Sequence, residues 1–178
     1  MDELKAAGDV RATMDAARAD DGALTEAGWP RPRHNGLPIP WLSPRDALAK
    51  TDSARLAACA SGGVCAVCGL GFQAEEHALL LINPPTGPNG GRFMPGDTIE
   101  PADGGIITSI DNGVLHPRCA RLALAYCPKL RELLEDDDLV CVQVVAHTSE
   151  PQFLDLTDSG TLELRATYDE GLVVDIPL

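Results

Sequence analysis

Cys65 and Cys68, in V-C-A-V-C-G, and His116 and Cys119, in L-H-P-R-C-A, supply three thiols and an imidazole in two closely spaced pairs. Thiolate sulfur and imidazole nitrogen are the donors zinc prefers, and two such pairs brought together complete a tetrahedral shell. Each pair spans three positions. In a turn that spacing lets both thiols face one point, and at the start of a helix it projects both ligands to one side, where the positive helix end favours the Cys119 thiolate. His77 is the rival to His116, and if it were the ligand Cys119 would be alone on the helix. Four protein ligands close the shell and make the ion structural, whereas three cysteines and a water would leave a catalytic position open. Zinc deaminases place a histidine and a nearby glutamate ahead of two cysteines, and that order is absent. A redox role for Cys65 and Cys68 needs a helix opening behind them to lower the first thiol's pKa, and Gly69 to Phe72 does not read as one.

Other residues carry weaker chemistry. Cys59, Cys127 and Cys141 lie in or beside apolar segments and read as small core residues. No Ser, His and Asp arrangement suggests a triad, and His34 and His147 stand isolated. The stretch T-G-P-N-G-G-R lacks the Lys-Ser or Lys-Thr ending of a nucleotide loop and reads as a turn-rich connection. Arg118 and Arg121, with Arg92 in that loop region, are candidate contacts for a phosphate or an acidic partner. Trp29, Trp41, Phe93 and Met94 are candidate walls of a small-molecule pocket.

The elements that must position these groups belong to a chain of 178 residues, long enough for a sizeable core. Hydrophobic residues make up 44% but aromatics only 4%, so Ala, Leu, Val and Ile fill the interior and backbones must approach closely. The formal charge of −13 repels nucleic acid and anionic membrane at long range. No apolar run spans a bilayer and no secretory signal pattern opens the sequence, so a cytoplasmic protein is expected, in a reducing compartment where cysteines hold metal.

Residues 1–28 hold a helical candidate over 2–19. Residues 29–43 form a Pro-rich arm, W-P-R-P-R-H-N-G-L-P-I-P-W-L-S, whose prolines exclude regular helix and central strand and whose indoles anchor it across the domain. The core is expected over 44–138. Ser43 caps a helix running to about residue 59, the cysteine turn follows, and strands at 77–82 and 105–110 form a hairpin. A helix opens at His116 and Pro117, and Pro128 breaks or restarts it. From Leu139 the period becomes that of strands, over 139–145, 152–156, 161–166 and 172–176, with Asp158-Ser159-Gly160 and Asp169-Glu170-Gly171 as turns. Residues 139–178 are therefore expected to form an antiparallel sheet packed on the core, giving an α+β fold.

A knuckle, a hairpin and a helix that brings the second ligand pair resemble the treble-clef zinc fold, through Cys65, Cys68, Gly69, His116 and Cys119. The C-x-V-C-G and L-H-x-x-C-A elements are similar to small treble-clef proteins of bacteria and their phages, and the Ala- and Arg-rich, Lys-poor composition looks like a GC-rich genome. The resemblance covers residues 64–134 and implies a zinc cofactor. It also touches the His-Asn-His nucleases, but their histidine base ahead of the helix is missing, so scaffold without that chemistry is implied. The expectation is a zinc-stabilised interaction or regulatory module, with a protein partner or a second copy of itself, and the enzyme question leans to no without being closed. The alternatives are a small-molecule enzyme with a pocket near the arm and the Gly-rich loop, and a nucleic-acid-associated treble clef.

Overall fold

The structure is a computed structural model, and the residues it describes are 33–43, 52–60, 64–73, 75–82, 91–99, 106–108, 113–145, 151–154, 163–168 and 171–178. The expected helix at 2–19, Trp29, His147 and residues 83–90 of the Gly-rich loop lie outside them.

Asn35 and Gly36, both at positive φ (52° and 82°), turn the arm back on itself, joining β1 (Arg33–His34) to β2 (Leu37–Pro38). Asn-Gly is the pair that tolerates such a turn. The arm is thus a short hairpin at its start, where its prolines had suggested extended chain alone. Past Trp41 and Leu42 the described chain resumes at Asp52, whose amide donates to the Leu42 carbonyl (3.0 Å). Asp52 then caps α1 (Ser53–Ala60), its Oδ1 accepting from the amides of Ala54 and Arg55. The expected opening at Ser43 and Pro44 leads into residues 44–51, which lie outside the described residues.

A four-stranded antiparallel sheet in the order β3-β6-β9-β4 forms the centre, from β3 (His77–Ile82), β6 (Val140–Val145), β9 (Gly171–Val174) and β4 (Thr98–Ile99). Its register sets Leu80 opposite Val142 and Val142 opposite Val173, all buried. β3 is buried from Ala78 to Ile82, so it shows no alternation. β6 covers one of its edges, Leu115 bridges the other, and α2 (Pro117–Tyr126) packs against it. A second sheet, β5-β8-β7, pairs β5 (Ile106–Thr108) with β8 (Glu163–Tyr168) and β8 with β7 (Pro151–Leu154).

These pairings correct the expected hairpin. β3 takes β6 as its partner, and the segment after the Gly-rich loop joins a different sheet through β8. The strands after Leu139 likewise divide: β7 and β8 pair as neighbours, while β6 and β9 join the central sheet. Cys141, Val142, Val144 and Val173 are all buried in the central sheet, and a β-branched run gains most where both neighbours cover it.

Pro128 ends α2 and starts α3 (Pro128–Glu135), with Cys127 between them. The Cys127 amide closes α2 on the Ala123 carbonyl and its own carbonyl accepts from Arg131. Proline, lacking an N–H, restarts the helix at its first position where no donor is needed.

Candidate metal centre and adjoining cavity

The cysteine turn is built from its backbone. The Cys65 amide donates to the Leu70 carbonyl (2.9 Å), and the Gly69 amide returns to the Cys65 carbonyl (2.7 Å). Closing so tight a loop needs a left-handed residue, and Gly69 sits at φ 69°. A Cβ there would lie 2.4 Å from the Trp41 ring, so glycine is required twice, for the turn and for the indole packed on it. The second ligand pair is attached to the same turn. Ala66 donates to the Val114 carbonyl (3.0 Å), and Leu79 and Leu115 exchange amide–carbonyl bonds (2.8 Å each), which fixes the residue before His116 against β3. Gly113 lets this crossing happen, since a Cβ there would come within 2.8 Å of the Ala66 Cβ.

These contacts bring Cys65, Cys68, His116 and Cys119 together, one ligand atom from each lying within 4.8 Å of all the others. The three cysteines are buried and His116 is partly so. Zinc–sulfur bonds of about 2.3 Å in a tetrahedron require sulfurs about 3.8 Å apart, so the cluster has the span of a zinc shell. Its donor set, three sulfurs and one imidazole nitrogen, fits zinc. His116 takes the helix-capping position but makes no side-chain cap bond. Its Nδ1 instead lies 3.2 Å from Cys68 Sγ, so Nδ1 is the nitrogen that faces the site.

Two residues that sequence reasoning missed hold that imidazole. Phe72 stacks on it, with centroids 4.2 Å apart and planes inclined by 28°. Glu76 places Oε1 3.9 Å from Nε2, while its Oε2 accepts from the Gln73 amide (2.7 Å). Carboxylates behind a ligating histidine commonly fix its orientation and raise its basicity. The signal lay in G-F-Q-A-E-E, just after the knuckle, but nothing local pointed that segment at residue 116.

The four ligands by themselves share protons unevenly. Hydrogen bonds with Cys65 and Cys68 raise His116 to about 10, against the opposing effect of burial. Burial works to raise Cys65, but hydrogen bonds with Cys119, Cys68 and His116 outweigh it and hold this thiol well below its usual range. Cys119 moves the other way, raised by hydrogen bonds with Cys65 and Cys68 and then by burial. The Cys65 thiolate is thus balanced by the His116 imidazolium, because a buried thiolate needs a cation.

His77, the rival ligand, is the exposed first residue of β3 and is not in the cluster. Cys59 is fully buried and pushed up to about 12, by burial first and then by the charges of Cys65 and Cys68. Burial alone does the same to Cys141. Arg118 is exposed in the first turn of α2. Arg121 is partly buried with an Nε that has no partner, and Arg92 pairs with Asp137.

Beside the centre lies a cavity of about 520 Å3 between the arm (Leu37, Pro38, Pro40 and Leu42), the knuckle residues Ala66 and Val67, and α2 into the start of α3. Its floor includes Leu81 and Leu122, which are 3% and 1% exposed. Among the described residues Tyr126, Cys127 and Lys129 are its ionisable lining side chains. Trp41, Phe93 and Met94 are not among its walls. Trp41 packs on Gly69 and under the Arg55 guanidinium, Phe93 is partly buried against the core, and Met94 is 61% exposed.

Among the described residues no helix is long and apolar enough to cross a membrane. No protein-family model matches the chain, and neither a curated protein nor a solved structure does. What the site itself establishes is a small α+β fold carrying a Cys3His cluster suited to zinc.

Proposed function

We propose that the chain is a zinc-stabilised interaction or regulatory module in which the ion is structural. One observation carries this reading: four protein ligands converge on one point, three of them fully buried, which fills a tetrahedral shell and leaves no position for substrate. The ion would tie the knuckle to the first turn of α2, the relation that a treble-clef scaffold uses. Binding the chain's partner, protein or second copy, then belongs to the surfaces this staple orders. The charge of −13 weighs against nucleic acid as that partner.

The enzyme alternative has the cavity in its favour, but among the described residues its ionisable lining is Tyr126, Cys127 and Lys129, and the carboxylate beside Lys129, that of Glu132, is an exposed ion-pair partner outside the lining. Acid–base chemistry needs a positioned pair, so the cavity supports binding over turnover. Native mass spectrometry of protein purified without added metal, joined to elemental analysis, tests the proposal. One zinc per chain is expected. A substoichiometric or different metal, or a chain that keeps its zinc after Cys119→Ser, would overturn it.

A further inference from the structure

Beside the cavity, β3 leaves one backbone pair without a partner. Leu79 exchanges its N–H and C=O with Leu115 (2.8 Å each), on the edge away from β6. Backbone groups of successive strand residues point to opposite edges, so Ala78, Leu80 and Ile82 bond β6 and Leu81 faces the same way as Leu79. Continued by two residues, the Leu79–Leu115 pairing would set Gly113 opposite Leu81. It stops at one bridge. Gly113 lies instead against the knuckle and α1, where a Cβ on it would come 2.8 Å from the Ala66 Cβ and 3.1 Å from the Cys59 Cβ. Among the described residues nothing bonds the Leu81 N–H or C=O on that edge, although Leu81 is only 3% exposed. Nearly all buried backbone groups in proteins are paired, because an unmade bond forfeits their solvation.

The two chains part at the cavity, since Leu81, Gly113 and Leu115 all line it. Its volume of about 520 Å3 is that of a binding site and far exceeds a packing defect. The lining offers no free charge among the described residues: Lys129 is paired with Glu132 (3.1 Å), and the Tyr126 ring lies under the Arg33 guanidinium. The space therefore selects an uncharged apolar body carrying one donor and one acceptor at strand spacing. A residue of an extended peptide has that form, and a hydrocarbon or a fatty acid does not.

We propose that the cavity receives an extended apolar segment of a protein partner, one residue of which pairs with Leu81 in the place Gly113 leaves open while its side chains fill the space between the arm and α2. The inference rests on the module reading and gives its partner a form. The charge of −13 adds a condition, that the segment is flanked by basic residues, and it disfavours a second copy of the same charge. Zinc organises the walls. Ala66 and Val67 lie between Cys65 and Cys68, and their carbonyls accept from the Leu42 and Trp41 amides (2.9 and 3.0 Å), so the knuckle holds the arm. Leu122 and Ala123 follow Cys119 by one turn. An ion shared by the two segments fixes both walls against β3, and by linkage peptide and ion tighten each other.

The test uses the full chain, isotope-labelled and with its zinc content measured, and the blocked peptide acetyl-Lys-Lys-Leu-Val-Leu-Lys-amide. Saturable binding of one peptide per zinc-loaded chain is expected. Hydrogen exchange at the Leu81 amide should slow by about tenfold or more, while Leu80 and Ile82, already bonded to β6, stay unchanged. N-methylating the three apolar peptide residues removes every donor that could pair and keeps the side chains, so it should weaken binding about tenfold. The peptide with serine at those three places should not bind, and Ala123→Phe, which narrows the cavity, should abolish binding with zinc retained. No binding by the zinc-loaded chain, an N-methylated peptide that binds equally, or a Leu81 amide indifferent to the peptide would each overturn the proposal. The module reading would survive them, since it stands or falls with the zinc content. A Leu81 amide protected without peptide and exposed on dilution would assign the place to a second copy and overturn the partner class. N-acetyl-leucine methylamide binding as tightly as the peptide would make this a small-amide site and overturn it too.

Discussion

His116 is the ligand whose state must change most when an ion binds. Its partners raise it to about 10, and Cys119 is raised as well, so both carry protons near neutrality. Zinc needs a neutral imidazole and a thiolate, so loading releases at least these two protons. Each proton released steepens the affinity by about tenfold per pH unit. The apparent zinc Kd, measured against a competing chelator, is predicted to fall by about hundredfold or more between pH 6.5 and 7.5. An affinity indifferent to pH would contradict the ligand set. Folding stability gives a second reading of the same groups. His116, held above its ordinary 6.5, contributes stability that is complete below that value and lost as pH rises through about 10. Cys65, held below its ordinary 9.0, contributes stability that is complete above that value and lost as pH falls. Between 6.5 and 9.0 folding of the chelated chain only moves a proton from Cys65 to His116, so the two slopes cancel. The zinc-loaded chain, with ligands deprotonated only when folded, should gain stability with rising pH across that window. Urea midpoints of both forms at several pH values decide it. Glu76 acts on the same imidazole. Glu76→Gln keeps an acceptor for the Gln73 amide and removes only the charge behind Nε2, so it should weaken zinc about tenfold with little change in the metal-free fold.

At the scale of elements the knuckle and the arm form one unit. The indole of Trp41 occupies the space a Cβ at Gly69 would need, and Gly69 also holds a positive φ. Gly69→Ala is therefore predicted to cost about 1 to 3 kcal/mol, strain and displaced indole together. The checks are a lowered thermal midpoint and a red-shifted tryptophan emission, while a Gly113→Ala control should perturb the Ala66 crossing without moving the indole. These elements also set what could be read in advance. The ligand pairs were legible because each is local: three positions in a turn or a helix start fix where two side chains point. The Pro128 helix break was legible for the same reason, an amide that proline lacks. Strand partners were not. β3 had five strand candidates downstream, and alternation in none singled out β6, whose advantage is burial by β9 on its far edge. The Asn35-Gly36 hairpin carried its own signal, hidden among prolines that argued for extended chain. Phe72 and Glu76 were invisible because their target lies across the Leu79–Leu115 bridge, a long-range contact with no local signature.

For the whole molecule a zinc at the Cys3His cluster would substitute for mass in the core. Fully buried side chains here are chiefly Leu, Val, Ala and Cys, and Phe72 is one of few aromatics against the central cluster. Small residues bury modest area each, about 25 cal/mol per Å2, so close approach must be enforced by something else. A zinc bound to four ligands supplies roughly 10 to 16 kcal/mol in small domains, comparable with the roughly 5 to 15 kcal/mol by which whole domains are stable. It acts across the longest gap in the site, joining the knuckle at Cys65 and Cys68 to the helix at His116 and Cys119. Chelation should therefore lower the unfolding midpoint far more than any single side-chain substitution does. Serine variants separate staple from packing. Cys65→Ser and Cys119→Ser are predicted to lose metal and thermal stability together, because each removes a soft donor from a closed shell. Cys127→Ser, at a half-buried helix junction outside the cluster, should keep its zinc and lose about 1 kcal/mol at most. Zinc content by elemental analysis and the thermal midpoint are read on the same samples. If all three variants held metal equally, the shared point of the four ligands would not be where the chain is stapled, and the module built on it would fall with them.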